Sequence, residues 1–134
     1  MKTFKELFLE AQTAEELDTY NKWKELVNMS AVEIQEFLDS EEGKEAGLKR
    51  SEASELGISN GRDSARAIIR MKAKKFDEFN DTDKKWMQKQ ISFISRMRGN
   101  KGDIYDDKGN KTRKLTSLLI WGHDPEKYNI FKRG

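Results

Sequence analysis

The stretch SNGRDSARAIIRMKAKK, residues 59–75, combines the pattern of a core helix with the densest positive charge in the chain. Its apolar positions follow the i, i+3, i+4, i+7 spacing of one helix side: Ala65, Ile68, Ile69 and the stem of Lys72. Three arginines fall at i, i+4, i+8 on another side, where no acidic partner is expected: Arg62, Arg66 and Arg70. The stretch therefore predicts a core helix with an outer edge that can bind anions.

Length and composition favour one domain without cofactors. A chain of 134 residues is long enough to bury a core without metals or disulfides. It has no Cys and one His, so it lacks the means for a disulfide framework, a thiolate nucleophile or a typical transition-metal site. No apolar run reaches membrane-spanning length, and we expect no membrane partner.

Charge is divided unevenly along the chain. Residues 1–60 carry 7 Lys+Arg against 14 Asp+Glu, a net −7, which leaves +9 for residues 61–134. One interpretation is a nucleic-acid-facing second half. The other is that the two halves neutralise each other on folding.

Helix-start signals recur and predict an all-α fold. Capping-box pairs with a three-residue spacing open helices at Thr3, Thr13 and Ser30, and the polar cluster at 80–83 opens another that runs to about Arg98. A last helix is predicted over about 112–121, and residues 99–110 read as a Gly/Asp-rich loop or small hairpin. We expect a compact bundle of about five to six helices.

Residues 50–75 also have the outline of a helix-turn-helix. A short helix ended by Gly57 would lead into the helix that carries the arginines, and Ala53 fits the small position before the turn. Asp63 stands where an apolar residue is usual. A plain helical hairpin therefore stays open beside a DNA-reading motif.

Catalysis is not predicted. His123 is the one histidine, and we expect it to cap a helix end, either by donating to the last carbonyls or by pairing with Asp124. No phosphate-binding loop, EF-hand or nucleophile elbow is present in the sequence.

Binding of phosphates is better supported than chemistry. If antiparallel helices bring the basic clusters to one end of the bundle, they can neutralise several phosphates, and Tyr105 can stack on a base. The alternative is a solvated basic surface. The candidate nucleic-acid-binding residues are Arg62, Arg66, Arg70, Lys74, Lys75, Arg96, Arg98, Lys111, Arg113 and Lys114.

Five segments resemble an α-helical domain family of bacteria and phages, some of whose members are labelled DNA-binding. They are residues 29–38, 41–44, 61–66, Met87 with Arg96, and 119–125. The resemblance covers about residues 26–127, and its most specific motif consists of Trp121, Gly122, His123, Asp124 and Pro125. It implies a helical fold and little about mechanism.

The first eleven residues, MKTFKELFLEA, resemble the capsid-targeting leader of the internal head proteins of T-even-like tailed phages. Phe8, Leu9, Glu10 and Ala11 fill the positions around the cleavage site of such leaders, whereas Lys5 and Leu7 depart from the pattern. The resemblance implies a leader, 1–10, that a prohead protease removes between Glu10 and Ala11, and a single helical domain, 11–134.

The leader resemblance also implies a location and partners. The protein would assemble with the phage scaffold, lie inside the virion and pass into the host cytoplasm, where it binds DNA or blocks a host nucleic-acid or defence enzyme. The alternative is a small nucleic-acid-binding or host-protein-binding domain that is not packaged.

Overall fold

The computed structural model describes residues 3–45, 61–99 and 101–127, with all their side chains except those of 7–13 and 45. Its helices are α1 (Phe4–Leu26), α2 (Ala31–Asp39), α3 (Glu41–Glu45), α4 (Gly61–Lys72), α5 (Asp81–Gly99) and α6 (Arg113–Ile120), with a 3-10 turn at Phe76–Glu78. Residues 125–127 are helical again. Within the described ranges no β-strand forms, and the fold is all-α, as predicted.

Side-chain caps start the helices at the predicted places. At α2, the Ser30 hydroxyl accepts from the Glu33 N–H at 3.1 Å, and the Glu33 carboxylate accepts from the Ser30 N–H at 3.0 Å. Asn80 and Asp83 make the same reciprocal pair at α5, with distances of 2.8 and 3.2 Å. Thr3 caps α1 at 3.1 Å. These local bonds satisfy N–H groups that a helix start leaves open.

The predicted break between two N-terminal helices is wrong. α1 runs without interruption for 23 residues, through Thr13, and it is longer than the 19-residue α5. No Gly or Pro lies between Phe4 and Leu26, and the helical backbone therefore continues past a residue that could have capped a new start.

The core lies where α1, α2, α4, α5 and α6 meet. Trp23, Ile34, Ile68, Ile94 and Ile120 are all buried there. α1 lies parallel to α5, because Glu16 contacts Lys84 and Trp23 contacts Gln90. α4 lies antiparallel to α5, as the next contacts show.

A buried polar chain joins α1, α5 and α4. The Trp23 indole N–H donates to the Gln90 side-chain carbonyl at 2.7 Å, and the Gln90 amide donates to the Ser64 hydroxyl at 3.1 Å. All three residues are buried. Further along, Arg70 of α4 lies 3.5 Å from Asp83 at the start of α5. The start of α4 thus lies beside the second half of α5, and the end of α4 beside the start of α5.

The segment after α5 forms the predicted small hairpin. Tyr105 and Lys111 make an antiparallel bridge, and the Asp106 N–H donates to the Asn110 carbonyl at 2.9 Å across the turn. The predicted helix over 50–59, with Ala53 and Gly57, and the tail 128–134 lie outside the described residues. Gly61 is already the first residue of α4.

Candidate nucleic-acid interface

The predicted basic clusters do not meet at one end of the bundle. Because α4 and α5 are antiparallel, Arg70, Lys74 and Lys75 lie near the start of α5, whereas Arg96 and Arg98 lie at its end. Asp83 and Arg96 are separated by about 20 Å along the helix at a rise of about 1.5 Å per residue. The expectation of one combined cluster is therefore wrong, because the loop over residues 73–80 reverses the chain direction.

At the start of α5, Asp83 organises the basic side chains. Its buried carboxylate lies 2.8 Å from Lys74 and 3.5 Å from Arg70. Burial alone would raise the pKa of Asp83, but the hydrogen bonds from Lys74 and the Asn80 N–H, with the charges of Lys74 and Arg70, lower it below its usual value. Lys74 thus serves the fold, whereas half of the Arg70 side chain remains exposed.

The other two arginines on α4 also have partners that the sequence analysis did not foresee. Arg62 is half-buried and donates to the backbone carbonyls of Gly43 at 2.7 Å and Leu38 at 3.4 Å. Arg66 lies 3.5 Å from Asp63 on its own helix. The expectation of an arginine row without an acidic partner is wrong, since Asp63 is three residues before Arg66. Arg62 joins α4 to the end of α2 and to α3 rather than facing outward.

At the other end of α5, the predicted cations divide between internal contacts and exposure. Lys111 pairs with Glu42 at 3.2 Å, and Lys114 donates to the Gly102 carbonyl at 3.3 Å. The predicted cations of this end that are exposed and lie outside these two contacts are Arg96, Arg98 and Arg113. Two further pairs, Glu16 with Lys84 and Glu33 with Lys127, also join the acidic and basic halves of the chain. Part of the charge split is therefore neutralised within the fold.

The outer face of α5 carries a basic row that the sequence analysis missed. Lys85, Lys89, Ser92 and Arg96 are spaced i, i+4, i+7, i+11, which places them on one helix face, and all four are exposed. From Lys84 to Gly99 the helix contains no Asp or Glu. The absence of acidic residues from this run, together with the helical spacing of its basic residues, was the signal that could have identified Lys85 and Lys89.

Trp86 lies beside this row and is half-buried. The Lys89 ammonium is 5.1 Å from the centre of the Trp86 ring, a cation–π contact. Two helical turns further along α5, the Phe93 ring stacks on the ring of Trp121, which directly follows α6, with ring centroids 4.3 Å apart. The aromatic residues Trp86 and Phe93 therefore lie next to the basic row, on the side of α5 that is half-buried.

The exposed edge of α4 adjoins the outer face of α5. Arg66 and Arg70 have side chains 58 % and 50 % exposed. Since α4 and α5 pack side by side over one core, their outward faces form one surface. We call this surface the two-row face and define it by Arg66 and Arg70 on α4 and by Lys85, Lys89 and Arg96 on α5.

The motif Trp121–Pro125 forms a structural clasp rather than an outward site. His123 is fully buried, and its Nδ1 lies 2.6 Å from the Leu26 carbonyl at the end of α1. A carbonyl can only accept, so Nδ1 carries the proton. His123 does cap a helix end, but the helix is α1 rather than the one that precedes it.

Hydrogen bonds of the Asn28 side chain and of the backbone complete the clasp between residues 26–29 and 121–124. The Asn28 side chain donates to the Asp124 carbonyl at 3.0 Å and accepts from the Asp124 N–H at 2.8 Å. The Gly122 carbonyl accepts from the Met29 N–H at 3.2 Å. Burial lowers the pKa of His123; the bond to Leu26 opposes this shift, and the charge of Arg98 adds to it. The neutral imidazole is therefore the form that the fold favours.

Lys72 holds the same turn from the α4 side. Its ammonium donates to the Val27 carbonyl at 2.9 Å and lies 5.7 Å from the Trp23 ring centre. Burial lowers the pKa of Lys72, the charge of Lys127 adds to the lowering, and Glu33 opposes it. The stem of Lys72 extends the inner side of α4, as the spacing predicted.

The candidate processing site lies in the first half of α1, ahead of Tyr20 and Trp23, which contact the core. Relative to α5, residue 16 of α1 is level with 84 and residue 23 with 90, so the first residues of α1 extend past the start of α5. Phe4 is 85 % exposed, and residues 14–18 are exposed on every side of the helix. The backbone at Glu10 and Ala11 is helical, and their side chains lie outside the described part.

Tyr105, the candidate base-stacking residue, is held by an acid. Its hydroxyl donates to Glu126 at 2.5 Å, and this bond raises the pKa of the phenol. Among the described residues, no group of three or more His, Cys, Asp or Glu could hold a metal ion. The described helices include none that is long and apolar enough to cross a membrane.

Comparison with known families identifies the chain as a member of a family described as "Protein of unknown function (DUF3140)", whose model matches residues 22–119. The matched span contains the whole two-row face and ends two residues before Trp121. Comparisons with curated proteins and with solved structures gave no match.

Proposed function

We propose that the protein binds nucleic acid through the phosphate backbone, without reading base sequence, and that the two-row face is the contact surface. The observation that carries the proposal is the exposed, acid-free row Lys85, Lys89 and Arg96 on α5. Lys and Arg neutralise phosphates and release condensed counterions, which supplies most of the affinity of non-specific binding.

The neighbouring contacts favour positioning over base recognition. Arg66 and Arg70 flank the row, each 3.5 Å from a carboxylate: Arg66 from Asp63, which is 34 % exposed, and Arg70 from the buried Asp83. An exposed ion pair such as Arg66 with Asp63 is worth only about 0–1 kcal/mol, so a phosphate can replace Asp63 there at little cost. Contacts of this type fix the register of a protein on its ligand and carry no sequence information.

The proposal is tested by removing the α5 row. We expect the triple variant K85Q/K89Q/R96Q to bind labelled DNA more weakly, and the slope of log affinity against log salt to fall by roughly 2–3 units, since each phosphate contact contributes about 0.7–0.9. Fluorescence anisotropy from 50 to 200 mM salt measures both quantities.

A matched control removes the same charge elsewhere. Lys22, Lys44 and Lys108 are exposed and lie outside the two-row face. The variant K22Q/K44Q/K108Q should keep the wild-type slope. Equal losses in both triples, or binding that does not respond to salt, would show that the two-row face is not the contact surface.

We further propose that the protein is an internal head protein of a tailed phage, packaged with the genome after removal of residues 1–10. Two observations support it: the resemblance of residues 1–11 to a capsid-targeting leader, and the exposure of residues 4–6 and 14–18 of α1, ahead of Tyr20 and Trp23 at the core. Cleavage after Glu10 would leave the described core contacts in place. Helix ends fray easily, and a protease can then bind the opened segment.

Mass spectrometry of purified virions tests the packaging proposal. The chain should be present and should start at Ala11. A chain that starts at Met1 would exclude processing, and absence of the chain from virions would exclude packaging.

A host protein is the alternative partner, because α2 and α3 present the exposed acids Asp39, Glu41 and Glu42 on the other side of α4 from α5. Pull-down from nuclease-treated host lysate separates the two: only a protein partner should survive the treatment, and it should be lost in D39N/E41Q/E42Q.

A further inference from the structure

We propose that the ligand of the two-row face is double-stranded DNA, with α4 and α5 each following one of the two phosphate backbones that border a groove. This inference rests on the proposed function and adds the substrate class. It follows from the arrangement of the cations in two rows on two helices.

The first row is long and straight. Lys85, Lys89 and Arg96 lie on one face of a single helix, and 11 residues at about 1.5 Å each give a row of roughly 16 Å. Double-stranded DNA carries a phosphate about every 3.4 Å of axis on each strand, so a row of this length passes several phosphates.

The second row is parallel to the first and separate from it. Arg66 and Arg70 are one turn apart on α4, and the contacts Ser64 with Gln90 and Arg70 with Asp83 keep α4 alongside α5. Packed helices have axes about 8–10 Å apart. Arginine and lysine side chains that point outward from these axes can reach both sides of a groove about 6–12 Å wide.

Arg70 can leave Asp83 for a phosphate without exposing an unpaired buried carboxylate. Lys74 contacts the other oxygen of Asp83 at 2.8 Å and the Asn80 N–H donates to it at 3.2 Å. The Arg70–Asp83 distance is the longer of the two, and the Arg70 side chain is 50 % exposed against 26 % for Lys74. The fold therefore holds Asp83 with Lys74 and leaves Arg70 available.

The aromatic residues beside the rows argue against a single strand as the main ligand. Proteins that bind single strands stack successive bases on exposed aromatic rings. Here Trp86 is half-buried with Lys89 over its ring, and Phe93 is stacked on Trp121. Two rows of cations match the two phosphate backbones of a duplex, whereas a single strand offers one.

Anisotropy titrations with a 20-base-pair duplex and with one of its strands, at the same salt, test the inference. We expect the wild-type protein to bind the duplex at least about tenfold more tightly, and R66Q/R70Q to lose on the order of tenfold or more in duplex affinity, with a salt slope smaller by about 0.9 per contact. Its affinity for the single strand should change less than twofold, because one row suffices for one backbone.

Variants on each row separate the two proposals. R66Q alone leaves the Asp83 pairings intact and keeps the test valid if R66Q/R70Q does not fold, and R66K should keep wild-type binding. Equal or tighter binding of the single strand, or unchanged duplex binding by R66Q, would overturn the duplex assignment while K85Q/K89Q/R96Q still weakens binding. If that triple variant binds both ligands as well as the wild type, the proposed function fails with it.

Discussion

Replacing Gly122 with alanine should destabilise the protein more than any surface change. Gly122 has φ +86°, in the region that L side chains rarely adopt, and it is buried between α1 and α4. A Cβ atom there would lie 2.8 Å from Val27 Cγ1 and 2.9 Å from Ile68 Cδ1. Both neighbours are fully buried, so neither can move without disturbing the core.

Two terms set the size of the effect. A left-handed backbone costs a residue with a Cβ about 1–2 kcal/mol, and added volume in a packed core costs about 1–3 kcal/mol. Gly122→Ala should therefore lower the free energy of unfolding by about 2–5 kcal/mol, a large part of the 5–15 kcal/mol that is typical of a domain. Any shift that relieves the clash also strains the bond from the Met29 N–H to the Gly122 carbonyl.

Urea unfolding followed by tryptophan fluorescence and far-UV circular dichroism measures this change. Gly99→Ala is the matched control, because a Cβ at the end of α5 meets no atom within 4 Å. This control should be neutral or more stable by up to about 1 kcal/mol. A Gly122→Ala midpoint within error of the wild type, with the same m-value, would refute the close packing of the clasp.

Three further changes address buried polar groups. Burial lowers the pKa of His123 in the folded protein, so its contribution to the free energy of unfolding should be complete above the unfolded pKa of about 6.5 and should be lost as the pH falls below that value. A His123→Asn variant should lose this pH dependence. Gln90→Leu removes the acceptor of the Trp23 indole and should cost about 1–3 kcal/mol for each buried group left unsatisfied. Asp83→Asn removes the charged partner of Lys74 and should lower the free energy of unfolding by about 1–3 kcal/mol near neutral pH. The difference from the wild type should shrink below a pH of about 4, because the pKa of Asp83 is lowered in the fold and the wild type loses stability as this carboxylate becomes protonated.

Urea midpoints across pH measure all three. Gln88→Leu and Asp81→Asn alter exposed residues of the same helix and should stay within about 0.5 kcal/mol of the wild type. A His123→Asn variant with the wild-type pH dependence would assign that dependence to another group. Equal stabilities of Gln90→Leu and Gln88→Leu would contradict the buried polar chain.

The helix starts could be predicted from sequence because the interactions that make them are local. Ser30 with Glu33 and Asn80 with Asp83 bond over three residues, so a short window contains the whole signal. The same window misled at Thr13, since a capping residue does not end a helix unless the preceding backbone leaves the helical conformation.

The partners of the basic residues could not be predicted, because they depend on how the helices pair. The sequence around Arg62 does not indicate its acceptors, which are the carbonyls of Leu38 and Gly43, across an intervening segment. The clasp is still harder to predict from sequence, since His123 and Leu26 are 97 residues apart. In contrast, the row on α5 needed only the helical spacing of Lys85, Lys89 and Arg96 and could have been found.

The clasp also sets a time at which the protein can finish folding during its synthesis. Asn28 and Asp124 bond across 96 residues of chain, and the Leu26 carbonyl at the end of α1 can bond His123 only after residue 123 has left the ribosome. At a synthesis rate of about 5–20 residues per second, those 96 residues take roughly 5–20 s. During that interval Val27 is present without Gly122, which packs against it, and transiently exposed apolar surface of this kind is what chaperones protect.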